Sequence, residues 1–580
     1  MKHRSLLTGQ MLADLIVING KVITVDSDFS IAQAVAVKGD KVVAVGMNEE
    51  IKALAGKNTK VLDLKGKTML PGINDAHIHA ALYGGTRPPL TVDVGYPAVK
   101  SIGDIVRAVA EKAKTAKPGE WIRGLGWDEG YLEECLKDPA RYPNRWDLDA
   151  VSPDNPVILG HFTQHEAWVN SRVLEMAGIT RDTPSPSGGV ILKDPATGEP
   201  TGIFREFPAQ GLIMKVVPLW TKAEKRQGIL SMMQELNSLG VTSITEGALG
   251  SGGNEFQGGL LGADCIHIYN DLLNEGKLAL RVGWLYLFGE YGACTFEDFR
   301  QVIPQLGIHS GFGNEWLRLA GVKIFADGIP PIKTAWMDEE YPGGGNGSLV
   351  LPGETDEERY NELINMIIYA HKHGFQLGIH SIGGKAVRAC IDGFIKAERE
   401  EPKGLRHYII HGDFISDKDI ERAVKHNIGN CAQPGIKWTI SDFMDNVVGE
   451  ELSARQWPLR TLIDAGVHLS AGSDAPVTYP SWQQGVQSAI LRESKATGKV
   501  SGPEQRITVE EAIRIFTIGG AWQDHMEHIK GSIEVGKLAD FCILDKDILT
   551  VEPHSIKDIR NLMTIVGGKI VYDAGVVRFK

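Results

Sequence analysis

Two textures of hydrophobic and polar positions divide this chain. Near its start, β-branched runs alternate with turn residues. Leu15-Ile16-Val17-Ile18 meets Asn19-Gly20, and Lys21-Val22-Ile23-Thr24-Val25 follows. Then come Ala34-Val35-Ala36-Val37, the turn Lys38-Gly39-Asp40, and Lys41-Val42-Val43-Ala44-Val45-Gly46. Short runs of this kind joined by tight turns predict β-hairpins. The texture returns at the far end in Phe541-Cys542-Ile543-Leu544 and Lys569-Ile570-Val571-Tyr572-Asp573, with Gly567-Gly568 between them. Residues 12–70 and 531–577 are therefore expected to pair into one composite β-sandwich domain, with the rest of the chain inserted in it.

The middle reads differently. Apolar strand-like segments alternate with amphipathic ones such as Asp356 to His373 and Lys418 to His426. The candidate strands are Thr68 to His79, Val241 to Glu246, Leu280 to Leu287, Leu317 to Phe325, Phe375 to His380, Tyr408 to His411, Ile428 to Gln433, and Val467 to Asp474. Strands alternating with helices predict an α/β fold, and this number predicts a (β/α)₈ TIM-type barrel over residues 71–530. The excess length lies between the first two strands. Residues 82–235 are rich in Trp, Pro and Gly, including Trp121, Gly126-Trp127-Asp128-Glu129, Pro143 and Trp146. A compact fold does not hold a structureless loop of that length, so a lid-like inserted subdomain over the barrel mouth is expected.

Where polar residues interrupt the apolar strands, chemistry is expected. His77 and His79, two apart, share one face of an extended strand. Side-by-side neutral imidazoles suit zinc and its first-row neighbours. Lys323 lies within strand four, His380 follows Leu377-Gly378-Ile379, His411 follows Tyr408-Ile409-Ile410, and Asp474 follows Leu469-Ser470-Ala471-Gly472-Ser473. Singly, each has an ordinary explanation: a snorkelling lysine, a satisfied core histidine, an aspartate capping a helix. Burying all of them together without a metal is costly.

Composition narrows the classes. The 580-residue chain carries a formal net charge of −12 and no basic stripe, which argues against a nucleic-acid partner. No apolar run approaches the ~18 residues of a membrane helix. The first ten residues are basic but lack the apolar core of a signal peptide. The six cysteines are scattered with no Cys-x-x-Cys, which fits a reducing compartment, and a cytoplasmic protein is expected.

The order His-x-His, Lys, His, His, Asp over a barrel flanked by a split β domain resembles the amidohydrolase superfamily of metal-dependent hydrolases. The closing Gly531-Ser532-Ile533-Glu534-Val535-Gly536-Lys537-Leu538-Ala539-Asp540 is similar to that family's C-terminal signature. Several stretches resemble the amidohydrolase-3 branch, which includes N-substituted formamide deformylases. These are Gly126-Trp127-Asp128-Glu129, His165 with Trp168-Val169-Asn170-Ser171, Thr201-Gly202, Lys323 with Phe325-Ala326-Asp327-Gly328, Gln433-Pro434 and Ser473-Asp474. The chain departs from the branch at Ile329-Pro330-Pro331-Ile332-Lys333-Thr334 and at Ile410, where the branch carries a Ser-Leu-Gly-Ser-Arg-like run and a glutamate.

The resemblance implies a divalent metal, zinc first and manganese or iron as alternatives, as one or two ions. His77 and His79 would hold one, His380 and His411 a second, and Lys323 would bridge them as its carbon dioxide adduct. Asp474 would ligate and carry protons, so Asp474, Lys323 and His411 are the expected catalytic residues. Trp127, His161, His165, Asp327 and Pro330 are the expected substrate-binding residues. The expected partner is a small molecule, with a homodimer as assembly and neither nucleic acid nor membrane. The expected reaction is hydrolysis of an amide or other non-peptide C–N bond. Hydrolysis of a C–C bond in a cyclic dione, or of an ester or lactone, is the alternative, and a non-catalytic scaffold is the second.

Overall fold

A computed structural model describes residues 12–88, 90–96, 98–290 and 293–579. The signal-peptide reading of residues 1–10 lies outside the described residues. Eight parallel strands form one sheet in chain order: β1 (Ile73–Ile78), β2 (Val241–Leu249), β3 (Arg281–Leu287), β4 (Leu317–Phe325), β5 (Leu377–Ser381), β6 (Tyr408–His411), β7 (Gly429–Ala432) and β8 (Leu469–Ala471). This is a barrel of the TIM type. Its strands are buried on both faces, which is why strands such as β3 and β4 are mostly apolar rather than alternating.

The seam of the barrel lies between β8 and β1. Just past the end of β8, Asp474 N donates to His77 O at 2.7 Å, and His79 N donates to Ala475 O at 2.8 Å. Gly472 makes this approach possible, since a Cβ there would sit 2.4 Å from His77 N. The side chain of Asp75 stitches the same seam by accepting from Ser473 N at 2.9 Å.

Thr68 to His79, expected as one strand, is two. Thr68–Pro71 belongs to a separate sheet and Ile73–Ile78 to the barrel, with Gly72 between them donating to Asp540 O. Thr68–Pro71 pairs antiparallel with Phe541–Leu544, placing Phe541 opposite Pro71. The two chain ends thus meet in one six-stranded sheet. A four-stranded sheet built from Ala13–Ile18, Ala34–Lys38, Lys41–Gly46 and Ala55–Asp63 faces it. Leu15, Val17 and Val35 of the smaller sheet share one apolar cluster with Met69, Phe541 and Ile543 of the larger.

Between β1 and β2 lies a further six-stranded sheet, from Val92–Asp93 to Pro200–Arg205, with an apolar cluster of its own around Trp127, Leu159 and Trp168. The helix that follows, Lys222–Ser238, turns Ile229, Met232, Met233 and Leu236 into the barrel's own cluster. Its start is fixed by a capping box of Thr221 and Glu224. Among the described residues, no helix is long and apolar enough to cross a membrane.

The barrel is tied to the terminal sheets by a buried ion pair. Arg281, the first residue of β3, donates from Nε to Asp540 Oδ2 at 2.6 Å and from Nη2 to Oδ1 at 3.0 Å, beneath the Trp316 ring. Replacing Arg281 with Met leaves Asp540 buried with its charge uncompensated. Chemical denaturation should show Arg281→Met less stable by about 3–5 kcal/mol. Stability equal to the parent would mean that the pair does not hold the two parts together.

Candidate metal centre

The open end of the barrel collects the polar residues that its strands carry at their C-terminal ends. His77 sits next to last on β1, and His79 directly precedes the helix Ala80–Gly85. The start of this helix is pinned by Glu246 of β2, whose oxygens accept from Ala80 N at 3.1 Å and Ala81 N at 2.9 Å. Gly247 makes room beside it, because a Cβ there would lie 2.5 Å from His77 Cε1 and 3.1 Å from His79 Cε1.

Four imidazoles converge here. Ring centroids are 5.1 Å apart for His77 and His79, 5.8 Å for His77 and His411, and 4.6 Å for His380 and His411. Asp474 Oδ1 stands 3.2 Å from His77 Nε2 and 3.4 Å from His79 Nε2. His411 and Asp474 both hold left-handed backbone, at φ 78° and 55°. Conformations that side chains other than glycine rarely adopt cost about 1–3 kcal/mol each and concentrate where geometry is imposed by function. His411 Nδ1 meets Gln433 Oε1 at 2.7 Å, while Gln433 Nε2 donates to Cys431 O at 2.9 Å. The amide is thus oriented with its oxygen toward the ring, so Nδ1 carries the proton and Nε2 is left to accept. Partners of this kind fix ligand tautomers in metal sites.

Burial sets the protonation states. It pulls His79 and His411 down to about 3 and draws His77 and His380 well below the ordinary histidine value. All four are neutral near pH 7, as metal ligation requires. Lys323 of β4 is fully buried, and burial pulls its amine down to about 7 against the pull of Asp474.

These residues fit a divalent ion. His77 Nδ1 and Nε2, His79 Nδ1, Lys323 Nζ and Asp474 Oδ1 are buried with no hydrogen-bond partner among the described residues. The ligand atoms of His77, His79 and Asp474 lie within 4.8 Å of one another. Gathered in one cluster of potential ligand atoms, these unsatisfied groups are ones that a bound cation would complete.

Above the cluster is a cavity with a mostly apolar wall that includes Leu82, Phe207, Phe256, Phe325 and Ile440. Its lining also includes all six ligand candidates, His165 and Pro330. Phe162 and Val477 line both this cavity and a larger outer chamber between the inserted sheet and the barrel.

Three expected substrate-binding residues are not on this wall. Trp127 is fully buried in the inserted sheet's own cluster, with Nε1 donating to Leu159 O at 3.0 Å. His161 is sealed beneath it, bonded through Nε2 to Glu129 and through Nδ1 to Thr163. Asp327 accepts from the backbone N–H groups of Ile382, Gly383 and Trp336, so it braces the β4 and β5 loops instead of facing a ligand.

His165 does reach the centre, with its ring 5.2 Å from that of His380. Glu206 holds it there through a 2.7 Å contact to Nδ1, and the same carboxylate accepts from Thr334 in the β4 loop. Glu206 joins the inserted segment to the barrel beside the site. It stands 41 residues from His165, and no local pattern in the sequence announces the pairing. Glu246 did carry a visible signal, the lone charged residue of β2.

A TIM-type barrel with side chains that could hold a metal gathered at the C-terminal ends of its strands is the architecture of a metal-dependent hydrolase. The chain belongs to the amidohydrolase family, whose model matches residues 60–572. It is 30% identical over 551 residues to the protein YtcJ of Bacillus subtilis strain 168, covering 93% of this chain and 96% of that one. It is 26% identical over 569 residues to the N-substituted formamide deformylase of Arthrobacter pascens, covering 97% and 99%. The crystal structure of an uncharacterized metal-dependent hydrolase from Pyrococcus horikoshii OT3 superposes with a TM-score of 0.70 at 25% identity, over 93% of this chain and 99% of that one.

His77→Ala or His79→Ala should reduce bound metal to a small fraction of the parent's, read by elemental mass spectrometry on purified protein. Wild-type metal content in both variants would remove these residues from the ligand set.

Proposed function

We propose that this protein hydrolyses an amide or other non-peptide C–N bond in a small molecule with an apolar body. The observation that carries this reading is the set of unpartnered buried ligand atoms lying directly beneath a mostly apolar cavity. Family membership and the similarity to an N-substituted formamide deformylase support it. His77, His79 and Asp474 would hold one ion and His380 and His411 a second, with zinc the first candidate. An ion bound there lowers the pKa of water toward ~7 and polarises a carbonyl.

The remaining chemistry belongs to the chain. Asp474 would take a proton from the attacking water and return it to the departing nitrogen, so that no charge is stranded in the apolar cavity. Lys323 is read as the site of a carbamate. Its neutral nitrogen forms a bond to the carbon of carbon dioxide and loses a proton, and the amine becomes an anion with two oxygens to offer. Burial favours the neutral amine that this step needs. The inserted segment would serve as a lid that brings His165 to the centre, and the two terminal sheets would serve as one β-sandwich domain bracing the barrel.

The test is a screen of metal-loaded protein beginning with N-substituted formamides and including ureas, lactones and cyclic diones, with products formed in labelled water. Release of an amine with label in the acid supports the reading, and turnover only of diones or lactones overturns it. Asp474→Asn should lower kcat by about 10²–10⁴, with a modest change in KM and with metal content measured on the same sample. A full complement of metal with kcat within a few-fold of the parent would show that the proton moves elsewhere. Lys323→Ala should lose activity and regain part of it with a short carboxylic acid. Full activity without the lysine would exclude the carbamate.

A further inference from the structure

Apart from the candidate metal ligands, three side chains on the cavity wall keep a buried polar atom without a partner among the described residues, Asp413, Gln164 and Trp457, and the last two are uncharged. Gln164 is 6% exposed and Trp457 2% exposed, and both line the cavity. Gln164 Oε1 and Trp457 Nε1 are buried and have no hydrogen-bond partner among the described residues. Neither group titrates in the ordinary pH range, so one is an acceptor and the other a donor at any working pH.

Their orientations are fixed from behind. Gln164 Nε2 donates to His161 O at 3.1 Å, and Gln164 O accepts from Gln210 Nε2 at 3.0 Å. With the amide nitrogen committed to His161, the oxygen is the end left over, and turning the amide would set oxygen against oxygen. Trp457 N donates to Asp413 O at 2.9 Å, which ties the indole to the loop that follows β6. Gln164 comes from the inserted segment and Trp457 from the barrel, so the cavity lining draws on both.

A buried donor or acceptor left unpaired costs about 1–3 kcal/mol. The molecule that recovers this cost is the one that brings the missing partners. We propose that Gln164 and Trp457 determine specificity: Gln164 Oε1 accepts from the N–H of an amide, and Trp457 Nε1 donates to an oxygen of the same molecule. This deepens the hydrolase reading and rests on it. The preferred substrates are then apolar amides that keep an N–H, not tertiary amides or esters, which have none. Among the described lining residues there is no arginine, and Lys323 is the only lysine. A substrate carboxylate therefore has no cation of its own to meet.

The experiment uses the metal-loaded protein and two measurements. The first is binding by titration calorimetry of 3,4-dihydroisoquinolin-1-one, an apolar lactam with one N–H and one carbonyl, against its N-methyl derivative. The parent lactam should bind roughly 10- to 100-fold more tightly, the size of one unpaired buried group. Gln164→Leu should shrink that ratio to within about threefold, and Trp457→Phe should weaken both lactams by roughly 10-fold while leaving the ratio intact. The second is kcat/KM for N-phenethylformamide, its N-methyl derivative and phenethyl formate, with the secondary amide favoured over its N-methyl derivative.

Equal binding of the two lactams by the parent protein overturns the proposal, and so does no measurable binding of either. An unchanged ratio in a folded, metal-replete Gln164→Leu does the same. The parent protein's ratio stands whether or not a variant folds. A protein that hydrolyses formamides with no preference for the N–H overturns this proposal and leaves the hydrolase reading in place. One that binds the lactam selectively but hydrolyses nothing retires the hydrolase reading instead.

Discussion

Burying an amine, a carboxylate and four imidazoles within one barrel mouth sets the constraint on which the rest of this structure depends. Each group, desolvated and unpaired, costs free energy. At least four of the six present an atom that no other described residue satisfies. The barrel tolerates the arrangement because its outer layers are strongly apolar and its strands are held by continuous parallel ladders. Burial also removes protons from the imidazoles, so the cost of desolvation yields neutral nitrogen donors. Positioning and electronic preparation thus have one cause.

The scaffold spends several otherwise ordinary residues on holding this geometry. Glu246 anchors the helix after His79, Gln433 orients His411, and Glu206 aims His165. Glycines at 247 and 472 clear space for the His77 ring and for the backbone of β1. None of these need touch a substrate. Together they tie His79, His411 and His165 each to a neighbour on a different element.

Much of the barrel was legible because both faces of its strands are buried. That makes several of them mostly apolar, and a single histidine or lysine interrupting such a run stands out. His77, His79, Lys323, His380, His411 and Asp474 were visible for this reason, and the structure brings them together. The strand from Thr68 to His79 was misread as one because its apolar pattern continues across Gly72, where the chain passes from one sheet to another. Trp127 and His161 of the inserted segment and Asp327 just past β4 were assigned to the substrate because aromatic and polar residues near a barrel mouth serve packing and binding alike. Their burial and their Leu159, Glu129 and backbone partners are made only in three dimensions. Glu206 was invisible for a related reason, since its partner lies 41 residues away with no periodic relation to it.

The central claim is that the unsatisfied groups at the barrel mouth are metal ligands. Anomalous diffraction from crystals of the purified protein, recorded on both sides of the zinc absorption edge, tests it most directly. The account predicts an edge-dependent peak within coordination distance of His77, His79 and Asp474, with a second near His380 and His411 and density for a carbamate on Lys323 between them. If the edges of zinc, manganese and iron all fail to give a peak there, in protein that carries stoichiometric metal elsewhere, the account is contradicted.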